Sequence, residues 1–229
     1  MDKQTILKEI SQNIVKAVLN SVKTKSAKLL AVSKTKSVEQ IYDIYNQGHR
    51  DFGENYVNEL VEKSAQLPND INWHMIGHLQ SNKVKKLLEI SNLKVIETLD
   101  SMKLANEINT QSKKLDRKVQ VYIQVNVSND EKNGIEIPDA MELVDHIITN
   151  CPNLELVGLM SMGSIGVESE FTKVYDLKLE IFKKYKDLEK DFTLSMGTSE
   201  DYELAILNGA SEIRIGTKLF GKREYNEKK

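Results

Sequence analysis

Short apolar runs alternate with longer stretches of helical periodicity along most of this chain. Residues 2–22 place Ile6, Ile10, Ile14, Ala17 and Val18 at helical spacing. Eight short runs then read as strands: 29–33, 51–53, 73–76, 95–98, 119–127, 155–159, 193–195 and 212–215. The third and seventh would pass for loops without the alternation around them. Between the runs, 38–47 puts Val38, Ile41, Tyr42 and Tyr45 on one face and stops at Gly48. Residues 57–67 carry Val57, Leu60, Val61 and Ala65 and end at Pro68. Pro138 and Asp139 open a helix with Leu143, Val144, Ile147 and Ile148 inward. Thr198, Ser199, Glu200 and Asp201 form an N-cap cluster for a further helix, which Asn208 and Gly209 end.

Strands alternating with helices predict parallel βαβ units with right-handed crossovers. Eight such units in about 200 residues predict a closed barrel. The expected fold is therefore α/β: a single (β/α)8 TIM barrel over residues 1–229 with an extra N-terminal helix. No G-x-G-x-x-G follows the first strand, which weakens a dinucleotide-binding fold. Residues 163–166, Gly-Ser-Ile-Gly, read as a mobile loop, and the charged tail from residue 222 as frayed.

Composition narrows the function classes. The 229 residues carry a formal net charge of −2, against the basic excess of a nucleic-acid-binding domain. Arginine occurs only at positions 50, 117, 214 and 223, so any arginine in an apolar setting stands out. One cysteine, Cys151, cannot form an internal disulfide, and the N-terminus has no apolar signal core. No apolar run is long enough to span a bilayer, so the expectation is a cytoplasmic protein with no membrane partner. No oligomerisation surface is legible, which leaves a monomer as the default.

In such a barrel the site lies at the C-terminal ends of the strands. The first strand runs L-L-A-V-S-K-T-K, residues 29–36, straight into two lysines. Alternation puts Leu30, Val32 and Lys34 on one face, so if the first two point inward, Lys34 points into the mouth. Desolvation there would lower its pKa from about 10.4 and free a neutral amine for attack on a carbonyl. Lys36 has the same parity, and both could also be surface lysines in a lysine-rich chain. On the last strand, I-R-I-G-T (213–217) sets Arg214 opposite Ile213 and Ile215. A buried arginine needs an acceptor, and a structural ion pair with Glu212 or Glu203 would supply one. Gly216 and Thr217, with Ser195 to Ser199 (S-M-G-T-S), fit a phosphate cup or ordinary turn chemistry. His74 and His78 have ligand-like spacing, but nothing nearby completes a metal site, and none is expected. A nucleophilic lysine with a phosphate cup means either a Schiff-base aldolase or pyridoxal 5'-phosphate (PLP) held as an aldimine. An arginine beside the ring fits the second.

Six motifs in order carry a resemblance: residues 29–36, F-G-E-N-Y-V (52–57), W-H-M-I-G-H-L-Q-S-N-K (73–83), G-L-M-S-M (158–162), L-S-M-G-T-S-E-D (194–201) and I-R-I-G-T-K-L-F-G (213–221). Over residues 28–221 the chain resembles the pyridoxal phosphate homeostasis proteins, whose barrel is like that of alanine racemase. The resemblance implies PLP as cofactor, with Lys34 as the aldimine lysine and Lys36 a basic neighbour near the mouth. It implies Arg214 on the pyridine nitrogen, Gly216, Thr217 and Ser199 on the phosphate with Ser195 a second candidate, and Asn55 beside the cofactor. The sequence departs from the family pattern at His78 and Ser37, where proline is frequent. No catalytic residue is implied: racemases add a second domain with a catalytic tyrosine or cysteine, and Tyr225 in the charged tail is a poor substitute. The expectation is a PLP carrier or regulator, not an enzyme, with PLP-dependent apo-enzymes as transient partners. A weak PLP enzyme using His74, Lys36 or a relayed water as base is the main alternative. A Schiff-base aldolase without PLP is the other.

Overall fold

The computed structural model describes residues 2–128 and 133–221, so the charged tail with Tyr225 lies outside the described residues. Helix α1 (Lys3–Asn20) precedes the alternation. It continues with β1 (Lys28–Val32), α2 (Val38–Asn46), β2 (Asp51–Glu54), α3 (Val57–Ser64), β3 (Asn72–Met75), α4 (Val84–Leu88), β4 (Leu93–Leu99) and α5 (Met102–Lys114). Then follow β5 (Val119–Asn126), β6 (Ile135–Glu136), α6 (Ile137–Asn150), β7 (Leu154–Ser161), α7 (Glu168–Lys184), β8 (Thr193–Ser195), α8 (Tyr202–Leu207), β9 (Glu212–Ile215) and α9 (Thr217–Phe220).

Eight strands close a parallel ring in the order β1, β2, β3, β4, β5, β7, β8, β9, with β9 pairing back onto β1. The expected barrel is therefore present. Two-residue β6 lies outside the ring, paired with Val125 and Asn126 of β5. It follows Gly134 at φ +126, where an added Cβ would sit 2.7 Å from the Asn126 nitrogen. Among the described residues no helix is long and apolar enough to cross a membrane.

Alternation sorts the side chains into two layers. Ala31, Phe52, Trp73, Ile213 and Ile215 face the helices and join the main hydrophobic core. Leu30 faces inward, where the missing side chain of Gly53 leaves room for it and for Ile76. The helix signals hold locally. Asp2 caps α1 through the Thr5 N–H at 2.9 Å, and Ser37 caps α2 in a reciprocal capping box with Gln40. Asp201 instead turns back, its carboxylate accepting from the Thr198 N–H at 2.8 Å and hydroxyl at 3.0 Å. The N-cap cluster thus closes its own loop, and α8 starts at Tyr202 without a side-chain cap.

Helix α1 packs against α2, α8 and α9 through Ile10, Ile14 and Ala17. Helix α9 is one turn long among the described residues, so α1 fills the ring where an eighth outer helix would lie. If that seating is right, Ile10→Ala should cost about 2–5 kcal/mol in urea unfolding. Leu19→Ala, at a side chain 80% exposed on the outer face, should stay within about 0.5 kcal/mol. Equal losses at both positions would mean α1 is not docked this way.

Candidate functional site

The strand C-termini surround a cavity of about 600 Å³. Six of the seven residues expected at a site line it: Lys34, Asn55, Ser199, Arg214, Gly216 and Thr217. Ser195 does not. It is fully buried beneath the cavity, and its hydroxyl donates to Glu97 Oε2 at 2.7 Å while accepting from Arg214 Nη1 at 2.9 Å.

Strand β1 ends at Val32, and residues 33–36 form a turn closed by the Lys36 N–H on the Ser33 carbonyl at 3.0 Å. Thr35 stands third in that turn at φ +63. This is the pattern of a type II turn, where glycine or asparagine is usual. A β-branched residue there carries backbone strain. The turn also ends the alternation, so shared parity stops at Lys34. Lys34 faces the cavity. Lys36 leaves the mouth: it is buried beside α9, with Nζ 3.3 Å from the Gly221 carbonyl, while Lys3 holds the Leu219 carbonyl at 2.7 Å. The expected basic neighbour at the mouth thus ties down the residue that follows α9.

Arg214 forms the cavity floor and is only 4% exposed. Nη2 donates to the Ser161 carbonyl at 2.6 Å and lies 3.0 Å from Met162 Sδ. It makes no ion pair with Glu203 or Glu212 within 4 Å; its link to a carboxylate runs through Ser195 to Glu97. Below it, inside the barrel, Glu97 Oε1 bonds His74 Nδ1 at 2.6 Å, and Lys28 Nζ lies 3.0 Å from Glu212 Oε2. Asp51 Oδ1 is 3.8 Å from His74 Nε2, an ionic contact beyond hydrogen-bond range. Burial alone would lower the His74 pKa, but Glu212, Asp51 and Glu97 raise it to about 9. Burial and the nearby Glu212 push Glu97 up. Burial would raise Glu212 as well, but His74 and Lys28 hold it below its ordinary value. The floor therefore carries an imidazolium with a reluctant Glu97 and a charged Glu212.

His74 and His78 do not converge. His74 is buried in this network, whereas His78 lines the mouth half-exposed, 3.7 Å from Asp100. Ligand atoms of His74, Glu97 and Glu212 lie within 4.8 Å of one another. The expectation that nothing near His74 could complete a ligand set is thus corrected, although Lys28, 3.0 Å from Glu212, competes for one of the set's carboxylates. Sequence reasoning missed Glu97, although a carboxylate in V-I-E-T-L, mid-strand and apolar on both sides, is a legible signal.

Asn55 Oδ1 is buried without a hydrogen-bond partner and belongs to a cavity-lining side chain. Its backbone is pressed against Gly77, where a Cβ would lie 2.0 Å from the Asn55 carbonyl oxygen. Ser199 Oγ takes the Lys218 N–H at 3.3 Å, joining the loops after β8 and β9 into one wall. The 163–166 loop, expected to be mobile, is tied: Ser164 bonds Glu170, and the Gly166 N–H reaches Asp201 at 3.2 Å.

The network sets a pH dependence. A folded-state pKa near 9 against an ordinary 6.5 stabilises the fold fully below pH 6.5 and loses that contribution as pH rises through 9. NMR titration of the His74 ring should show a midpoint near 9, with Tm falling over pH 6.5–9. A midpoint below 6.5 would mean a neutral ring and a different floor.

The sequence model of the family described as "Alanine racemase, N-terminal domain" matches residues 7–224. The human pyridoxal phosphate homeostasis protein is 38% identical over 239 residues, covering 97% of this chain and 87% of its own. PipY of Synechococcus elongatus PCC7942, solved with PLP bound, matches at TM-score 0.82 and 28% identity, over 96% of this chain and 100% of that one. An alanine racemase of Clostridium difficile 630 shares the fold alone, at TM-score 0.65 and 15% identity, over 97% of this chain and 56% of its own.

Proposed function

The chain belongs to the pyridoxal phosphate homeostasis protein family, and on that premise we propose that it holds PLP reversibly at the barrel mouth to manage its supply. The observation that carries this reading is the meeting of Lys34, Arg214 and the Ser199–Thr217 wall around one cavity. The fit is chemical. A lysine amine stands at the rim, a guanidinium at the floor, and hydroxyl and backbone donors at one side. Asn55 Oδ1 adds a buried acceptor still in need of a partner.

When bound, PLP brings an aldehyde that an amine can capture reversibly and a phosphate dianion. Lys34 supplies the amine. Ser199, Gly216 and Thr217 would hold the phosphate. Arg214 would meet the ring nitrogen, and Asn55 would stand beside the ring. Ser195 acts beneath, orienting Arg214 through two hydrogen bonds. A permanent positive charge on the floor disfavours a proton on the ring nitrogen and weakens the ring as an electron sink. That favours holding over turnover. The two side chains considered as bases, His74 and Lys36, do not line the cavity, which leaves a relayed water as the base of the enzyme alternative. Passage to apo-enzymes follows from a reversible bond and an open mouth. Cys151, buried and outside any disulfide, fits a reducing, cytoplasmic setting.

The test is to add PLP to the purified protein, record the visible spectrum, reduce with borohydride and map the modified peptide. The expected result is a band that borohydride removes, with the label on Lys34. Lys34→Ala should lose the band, while Lys36→Ala should keep it. A label on Lys36 would overturn the site. No band at all would favour an aldolase-like barrel over PLP binding.

A further inference from the structure

Behind the turn that bears Lys34 lies a second buried charge cluster, separate from the barrel floor. Lys63, on α3, is 5% exposed, yet its ammonium is fully engaged. Nζ donates to the Ser33 carbonyl at 2.8 Å, to Glu54 Oε1 at 2.7 Å and to Glu59 Oε1 at 2.6 Å. The Ser33 hydroxyl donates to the same Glu54 oxygen at 2.6 Å. The Thr35 N–H donates to the same Glu59 oxygen at 2.6 Å.

The placement of these bonds along the backbone is what matters. The Ser33 carbonyl belongs to the peptide group before Lys34. The Thr35 N–H belongs to the peptide group after it. One ammonium–carboxylate cluster therefore grips both peptide planes flanking Lys34, and those planes set the direction of its side chain. The grip also holds Thr35 at φ +63, a conformation its β-branched side chain disfavours. None of Glu54, Glu59 and Lys63 lines the cavity. A buried ionic cluster adds little net stability compared with apolar packing of the same volume, so stability alone does not account for it.

We infer that Lys63, Glu59 and Glu54 are positioning residues that aim Lys34 at the cofactor through its two peptide groups. This rests on the proposed function above. Lys63 itself does not react: its donors are spent behind the turn.

The test compares Glu59→Ala with Glu59→Gln, because Glu59 is partly exposed (23% of its side chain) and tolerates change better than buried Lys63. Glutamine keeps an oxygen for the Thr35 N–H; alanine does not. In the protein without PLP, amide exchange at Thr35 should quicken about tenfold in Glu59→Ala, the size of one charge-assisted hydrogen bond, and stay near wild type in Glu59→Gln. With PLP added, Glu59→Ala should retain PLP by equilibrium dialysis while the borohydride-trapped fraction on Lys34 falls about tenfold. Glu59→Gln should restore trapping. Lys63→Met, near in shape, should repeat the loss if it folds by circular dichroism. Wild-type trapping in Glu59→Ala, with the Thr35 amide freed, would overturn the inference. Unchanged exchange at Thr35 would overturn it too. If the wild-type protein itself traps nothing on Lys34, the proposed function fails, and the exchange arm still decides whether the clamp exists.

Discussion

Arg214 cannot be buried at the floor of the barrel without an anion within reach, because an uncompensated charge in an apolar interior costs several kcal/mol. Its direct partners, a hydroxyl, a carbonyl and the Met162 sulfur, are neutral. Compensation arrives one step away, through Ser195 to Glu97, and Glu97 is in turn shared with His74. This constraint organises the lower barrel. Lys28, Asp51, His74, Glu97 and Glu212 come from β1, β2, β3, β4 and β9, and each answers the charge of another. The inward layer of this barrel carries charged residues at its base beside a small apolar cluster of Val95, Tyr122 and Met160, while the layer between strands and helices is mainly apolar. Fold and site therefore share residues, and the floor cannot be loosened without touching both.

The rim is built by a different device. A barrel strand can aim a side chain only along its pleat, and β1 stops two residues short of Lys34. From there the backbone is an unfavourable turn, with Thr35 where glycine would be easier. Left to itself such a turn would sample other shapes. The Lys63 cluster removes that freedom by binding the peptide groups directly. Floor and rim thus use buried ion networks for separate tasks. One keeps a guanidinium charged and still, and the other keeps a lysine pointed.

Much of this was legible in the sequence because it depends on local pattern. Strand–helix alternation and the parity of L-L-A-V-S-K predict the closed barrel and bring Lys34 to its mouth. I-R-I places Arg214 opposite two core isoleucines, as found. What escaped depends on tertiary geometry. Lys36 shares the parity of Lys34, but one positive φ at Thr35 cancels the rule, and no sequence pattern announces a positive φ at threonine. Ser195 stands second to Ser199 as a phosphate serine, and the depth of β8 takes it beneath the cavity. Strand β6 has two residues, too few for alternation to register. Glu59 and Lys63 sit four apart on a helix, which reads as an ordinary surface pair until Ser33 and Glu54 close over it.

The two networks bear on the proposal that this mouth retains PLP with Arg214 at the ring nitrogen. Carbanion chemistry on a pyridine ring is aided by a protonated ring nitrogen, which takes up charge. A carboxylate at that position would keep the proton; a guanidinium repels it. Here the guanidinium is held by Ser195 and the Ser161 carbonyl, so it has little room to swing aside. Burial lowers its pKa, yet Glu97, Glu212 and Asp201 oppose that shift and favour the charged form. Loss of its charge would leave Glu97 and Glu212 facing each other with only His74 and Lys28 between them and neutrality. The nearby carboxylates that let Arg214 be buried thus also favour its charged form. On the proposed reading, such a site would bind and release PLP through a lysine bond at the rim, with the arginine at its floor weakening the ring as an electron sink.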